Sequence, residues 1–214
     1  MSSFLNPAQI CGVTEDTGVR KAAGPAGKLV LLGILAGAFI AFASEGSTMA
    51  AFNLLAAPET YGLGRCVAGL VFPTGLMLVM LTGSELFTGN TLMGIAPLKG
   101  RITWTAMLRN WLWVYGGNFI GSVAVALMMV HSGLFNSGAG LFGGVTVKMA
   151  LGKVSLSFTE ALVLGLMCNW LVCLAVWIVH GAKDAAGKIL GIFFPIWLFI
   201  TSGFEHCVAN MYYI

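Results

Sequence analysis

The sequence predicts an all-α integral membrane protein, a helical bundle with five membrane spans of which the second and fifth are broken. Three observations carry this. Hydrophobic residues make up 58% of the 214 and charged residues only 9%, with a mean hydropathy of +0.90. That leaves too few polar side chains to cover a water-soluble globule. Apolar runs recur at or above the roughly 20 residues that cross a bilayer. Two of these runs are interrupted alike, at Thr82 to Asn90 and at Thr201 to Asn210, each passing from Thr and small residues through a Glu (Glu85, Glu205) to an Asn. Backbone that leaves a helix at membrane depth survives only where protein buries it or where it lines a cavity. Paired breaks in the two halves of a chain therefore mark a candidate transport site near the midplane.

Residues 1–27 read as an N-terminal cytoplasmic segment, with no apolar core before Glu15 and Asp16 that would make a cleavable signal. Within it, Asn6 to Ala23 can form a short helix that stops near Gly24 and Pro25. Residues 28–214 read as the transmembrane domain. Its spans run near Leu29 to Ala56, Val67 to Ala96, Trp104 to Val130, Leu156 to His180 and Ile189 to Tyr213. Arg20, Lys21, Lys28, Lys99, Arg101, Arg109, Lys183 and Lys188 fall in one set of alternate connecting segments, against Arg65, Lys148 and Lys153 in the other. The positive-inside rule then puts the N-terminus in the cytoplasm and Ile214 outside. Gly33/Gly37 and Gly117/Gly121 are small-xxx-small pairs, read first as packing within the bundle and second as an oligomer contact.

The excess of basic over acidic residues is mild, +3 overall, and is scattered between apolar runs, which argues against a nucleic-acid partner. The five cysteines have no zinc-like spacing, and no hydrolase, acyl-transfer or phosphate-loop motif occurs. No metal or cofactor is called for, and a non-enzyme is expected. What remains is a set of polar residues inside apolar spans: Glu45, Glu85, Asn110, Asn118, Glu160, Asn169, Glu205, His206 and Asn210. Ionised groups there cost at least about 2.5–3.5 kcal/mol, so they face the interior and have partners. Glu45 and Glu160 lie near predicted span ends, where water can reach them. For Glu85 and Glu205, bracing the bent backbone is favoured over touching a substrate. His206 can donate, accept and change charge near neutral pH, and its place inside a break favours a pore role over a structural one.

The run Ser84 to Asn90, the segment Cys168 to Trp177 and the run Ser202 to Met211 closely resemble the formate/nitrite transporter family of formate, nitrite and hydrosulfide channels. The resemblance implies an aquaporin-like fold of two inverted repeats with six spans, assembled as a homopentamer in the bacterial inner membrane. It implies Thr88 at the pore centre opposite His206, with Asn90 and Asn210 joining Glu85 and Glu205 in support of the broken helices. It also implies a cytoplasmic constriction of Phe72, Leu76 and Phe199, an apolar constriction toward the outside of Leu86, Phe87 and Val172, and an external vestibule with the polar pair Lys153 and Asn169. The chain departs from that pattern at Ile214, before a sixth span, so the sequence reads as truncated.

The expected function is passage of small monovalent anions of weak acids. Lys153 would concentrate anions at the outer mouth. The apolar constrictions would make a bare anion costly to pass, and His206 would supply a proton in transit. The alternatives are a membrane-embedded enzyme, which would need a second polar group converging on His206 in a closed pocket, and a non-transporting structural subunit.

Overall fold

The structure is a computed structural model that describes residues 3–214. Its helices are α1 (Pro7–Ala22), α2 (Ala26–Ala56), α3 (Tyr61–Val71), α4 (Pro73–Thr82), α5 (Phe87–Asn90), α6 (Ile95–Leu98), α7 (Trp104–His131), α8 (Leu141–Val154), α9 (Phe158–Gly181), α10 (Ala185–Ser202) and α11 (Cys207–Tyr213). Among the described residues five segments are long and apolar enough to cross a membrane: Ala26–Ala56, Pro58–Thr82, Trp104–His131, Phe158–Gly181 and Ala185–Ser202. The second comprises α3 and α4, whose junction falls at Pro73, where proline lacks the N–H that would continue the helix ladder.

The short helix expected from Asn6 to Ala23 is α1. Asn6 caps it, accepting from Gln9 N while the Gln9 side chain returns a bond to Asn6 N. Arg101 anchors α1 from the loop before α7, through Glu15 at 2.7 Å and Asp16 at 3.2 Å. Helix α8 is the element that the sequence reading passed over, because its apolar stretch is too short to span and carries Lys148 and Lys153. Glu160 caps the start of α9 with Ser157. Glu45 corrects its expected placement: it lies well inside α2 and is half-buried, not at a span end.

Helix α2 packs along α7 so closely that backbone meets backbone. A Cβ on Gly37 would lie 2.1 Å from Asn118 O, and one on Gly121 would lie 2.0 Å from Ile34 O. The two small-xxx-small pairs thus serve packing within the chain. The close approach lets Asn118 Nδ2 donate to Gly33 O at 2.8 Å and Ser122 Oγ to Gly37 O at 3.2 Å. On its other side α2 contributes Ala36, Ile40 and Ala43 to a core shared with Phe72, Leu76, Val79, Val172, Ile192, Ile196 and Phe199.

The two breaks are built from the same bonds. Each starts at a left-handed glycine, Gly83 (φ 76°) and Gly203 (φ 84°). Ser84 N then donates to Val79 O at 3.0 Å, and Phe204 N to Phe199 O at 3.1 Å. Glu85 N reaches Leu32 O in α2 at 3.2 Å, and Glu205 N reaches Leu164 O in α9 at 3.4 Å. Asn90 N closes the first turn of α5 on Leu86 O, and Asn210 N that of α11 on His206 O, both at 2.9 Å. The repeated pattern relates α2 to α9 and α4 to α10.

Gly121→Val should destabilise the protein by about 1–3 kcal/mol or more, because its side chain must displace backbone of α2. Thermal unfolding in detergent checks this. Gly116→Ala, where nothing lies within 4 Å of the added Cβ, should leave the midpoint unchanged or raise it.

Candidate functional site

The breaks bring Thr88, in the first turn of α5, against His206, the N-cap of α11. Thr88 Oγ1 and His206 Nε2 are 2.9 Å apart, and the residues are 3% and 4% exposed. His206 Nδ1 accepts from Ala209 N at 3.0 Å. An amide N–H can only donate, so Nδ1 is unprotonated and the ring proton sits on Nε2. Nε2–H therefore donates to Thr88 Oγ1, which leaves the Thr88 hydroxyl hydrogen available. The imidazole stacks on Phe199 (centroids 5.9 Å apart, planes at 18°) and meets the edge of Phe72 (6.4 Å, 64°). Phe72 and Phe199 in turn pack edge to face at 5.6 Å.

A second layer of polar groups holds the first break. Lys21 Nζ donates to Glu85 Oε2 and to Asn90 Oδ1, both at 2.7 Å. Asn90 Nδ2 donates to Glu85 Oε2 at 2.7 Å and to Asn110 Oδ1 at 2.9 Å. Asn118 takes the free backbone, donating to Glu85 O at 2.9 Å and accepting from Phe87 N at 2.9 Å. At the second break Lys153 Nζ donates to Glu205 Oε2 at 2.7 Å. Asn210 Oδ1 is buried with no partner among the described residues. Each glutamate is thus paired with a lysine from a helix outside the spans, α1 or α8. Lys21 was not singled out in the sequence, since nothing in a short amphipathic N-terminal helix announces that one of its cations turns inward.

Thr91 and Cys173 were also missed. Thr91 Oγ1 donates to Thr88 O at 2.7 Å and accepts from Asn169 Nδ2 at 2.9 Å, with Cys173 Sγ at 3.2 Å. The resemblance paired Asn169 with Lys153, and the structure does not bring them together. Lys153 is held by Glu205, whereas Asn169 is held by Thr91, and the two line different cavities.

The constriction residues also change sides. Leu76 and Leu86 line a cavity of about 40 Å³ under α1, with Thr14, Lys21 and His180. A wider cavity of about 790 Å³ beside it is bordered by Arg20, Lys21, Lys28, Glu85 and Lys188. Phe72 and Phe199 instead line a cavity of about 50 Å³ on the α8 side, with Arg65, Lys153, Glu205 and His206. The expected grouping of Phe72 and Phe199 with the cytoplasmic side, and of Leu86 with the outside, is therefore reversed relative to α1 and Lys153. The reason is the direction of the helices. Helix α10 starts beside the Phe4–Ala182 bridge at the α1 end and delivers Phe199 to the α8 end, while Glu85, tied to Lys21, draws Leu86 toward α1. Phe87 lines a separate cavity of about 240 Å³ with Thr88, Asn169 and His206, and Val172 is buried in the core. Among the described residues no group of three His, Cys, Asp or Glu side chains is arranged to hold a metal.

Two broken spans that meet at a buried His–Thr bond, with a cavity toward each face, define a polytopic membrane protein of the channel and transporter class. Residues 8–214 match the family described as formate/nitrite transporter, and the chain belongs to that family. It is 41% identical to a formate channel of Bacillus thuringiensis, over 99% of this chain and 81% of that one. It is 40% identical to a formate channel of Haemophilus influenzae, over 100% of this chain and 74% of that one. Its fold matches a solved pentameric formate channel with formate bound, with a TM-score of 0.78 and 37% identity over 87% of this chain and 72% of that one.

Asn118→Leu should cost about 1–3 kcal/mol, since it strands Phe87 N and the carbonyls of Gly33 and Glu85 in an apolar setting. A lowered unfolding midpoint in detergent is the expected reading.

Proposed function

We propose that the chain is a subunit of a homopentameric channel that passes small monovalent anions of weak acids, with formate, nitrite and hydrosulfide as the candidate species. The observation that carries the reading is the Thr88–His206 bond between two apolar constrictions. The names of the relatives, formate channels, put formate first. The distribution of Lys and Arg supports a bacterial inner-membrane orientation with the N-terminus in the cytoplasm. No cofactor enters the scheme.

The chemistry follows from desolvation. An anion entering the gap beside Phe72 and Phe199 loses hydration that aromatic faces cannot replace. It finds two compensations: the free Thr88 hydroxyl as a hydrogen-bond donor, and a proton, which turns it into a neutral acid. His206 is the candidate for the proton step. At rest it is neutral, and imidazole can give up Nε2–H only after taking a proton at Nδ1. Protonated Nδ1 would face the Ala209 N–H donor to donor, so proton exchange runs through a state in which the cap on α11 is open. Thr88 then relays the proton: its own O–H passes to the anion as Nε2–H passes to Oγ1, the proton taken at Nδ1 comes from water on the entry side, and the ring returns to neutral. Transit as the neutral acid makes uptake rise as the outside pH falls.

Stopped-flow uptake into proteoliposomes, with the three anions side by side, tests the reading. His206→Phe should give an assembled protein whose flux stops or loses its pH dependence, because Phe neither donates nor accepts a proton. His206→Asn keeps a hydrogen-bonding amide but does not titrate in this range, and should lose the pH response as well. Wild-type flux and pH profile in both variants would reduce His206 to a helix cap.

A further inference from the structure

Lys153 and Glu205 sit 2.7 Å apart with both side chains 15% exposed, so their charges largely offset each other at the α8-side mouth. The net positive field there must come from elsewhere. We infer that Arg65 and Lys148 form an anion-capture site in the α8-side cavity, shaped for a planar monovalent anion with two oxygens on one atom. The inference rests on the channel reading above and narrows its substrate class, since hydrosulfide presents a single acceptor atom.

The cavity holds about 260 Å³ and is bordered by Tyr61, Arg65, Lys148, Lys153, Gly203 and Glu205. Three cations thus face one carboxylate, and neither Arg65 nor Lys148 forms an ion pair among the described residues. Arg65 is fixed by its own geometry: Nη2 donates to Ile200 O at the end of α10. Its guanidinium lies over Gly203, where an added Cβ would sit 3.5 Å from Nη2. Among the described residues the guanidinium makes no other side-chain hydrogen bond, and it borders the cavity. A guanidinium offers parallel N–H donors that match two coplanar oxygens, which an ammonium cannot do. Lys148 stands on the exposed face of α8 as a second charge. Arg65 also borders the narrow cavity that runs to Phe72, Phe199 and His206, so an anion held at the mouth is already on the path inward.

The test uses stopped-flow rates for formate and hydrosulfide in phosphatidylcholine vesicles at low and high ionic strength, with assembly of each variant checked by gel filtration. Lys148→Glu should lower the low-salt formate rate about tenfold, with the loss fading at high salt. Arg65→Lys keeps the charge and a donor for Ile200 O but removes the fork, and should lose the preference for formate over hydrosulfide. Unchanged low-salt rates in Lys148→Glu would overturn the site. So would an equal fall for both anions in Arg65→Lys. An effect seen only when phosphatidylglycerol is added would assign the cations to a lipid headgroup and overturn it too. If Arg65→Lys fails to assemble, Lys148→Glu decides alone. Absence of wild-type flux would sink the channel reading by itself. Broadening of labelled formate resonances by the solubilised protein, lost in Lys148→Glu, would still report the capture site.

Discussion

A backbone that leaves the helix inside a bilayer must have every freed N–H and C=O satisfied by protein, and in this chain that requirement dictates the rest. Each break turns at a left-handed glycine and passes the amide two residues on to the neighbouring long helix, to Leu32 O in α2 or Leu164 O in α9. The bond from Glu85 N to Leu32 O demands that α2 stay close, and the glycine contacts with α7 bring in Asn118 to hold Glu85 O and Phe87 N. Packing, polar placement and site geometry are thus parts of one hydrogen-bond solution.

The same constraint explains why charges lie so deep. A glutamate beside a break would be costly alone, and each is instead met by a lysine reaching in from a helix outside the spans. Breaking such a pair strands the partner, so Lys21 and Lys153 serve the fold. This separates two electrostatic roles at each mouth. One lysine is committed to the break, while the remaining cations, Arg65 and Lys148 on the α8 side and Arg20, Lys28 and Lys188 on the α1 side, border the cavities and, under the proposed channel function, would set the field that an anion meets.

Much of this was legible from residues alone. The five apolar runs, the breaks at Glu85 and Glu205 and the short helix from Asn6 follow strong local signals, either length, glycine placement or motif, whereas the approach of Thr88 to His206 came only from the resemblance to the family. What was not legible depends on where chain directions deliver side chains. Phe72 and Phe199 sit on the α8 side because α3 and α10 run the way they do, and no periodicity encodes that. Asn169 meets Thr91, not Lys153, for the same reason. Lys21 and α8 were hidden because a short helix carrying charged residues gives no span signal, although both complete the breaks.

The proposed proton exchange turns on where one hydrogen sits. If His206 Nδ1 caps α11 by accepting from Ala209 N, His206 is neutral at rest and carries its hydrogen on Nε2, toward Thr88. Solid-state nitrogen NMR on histidine-labelled protein in bilayers reads this directly, with His206→Asn used to assign the resonance. A protonated Nε2 and a bare Nδ1 near neutral pH are the expected result. A proton on Nδ1, alone or on both nitrogens, would contradict the cap and with it the resting state of the proposed proton exchange.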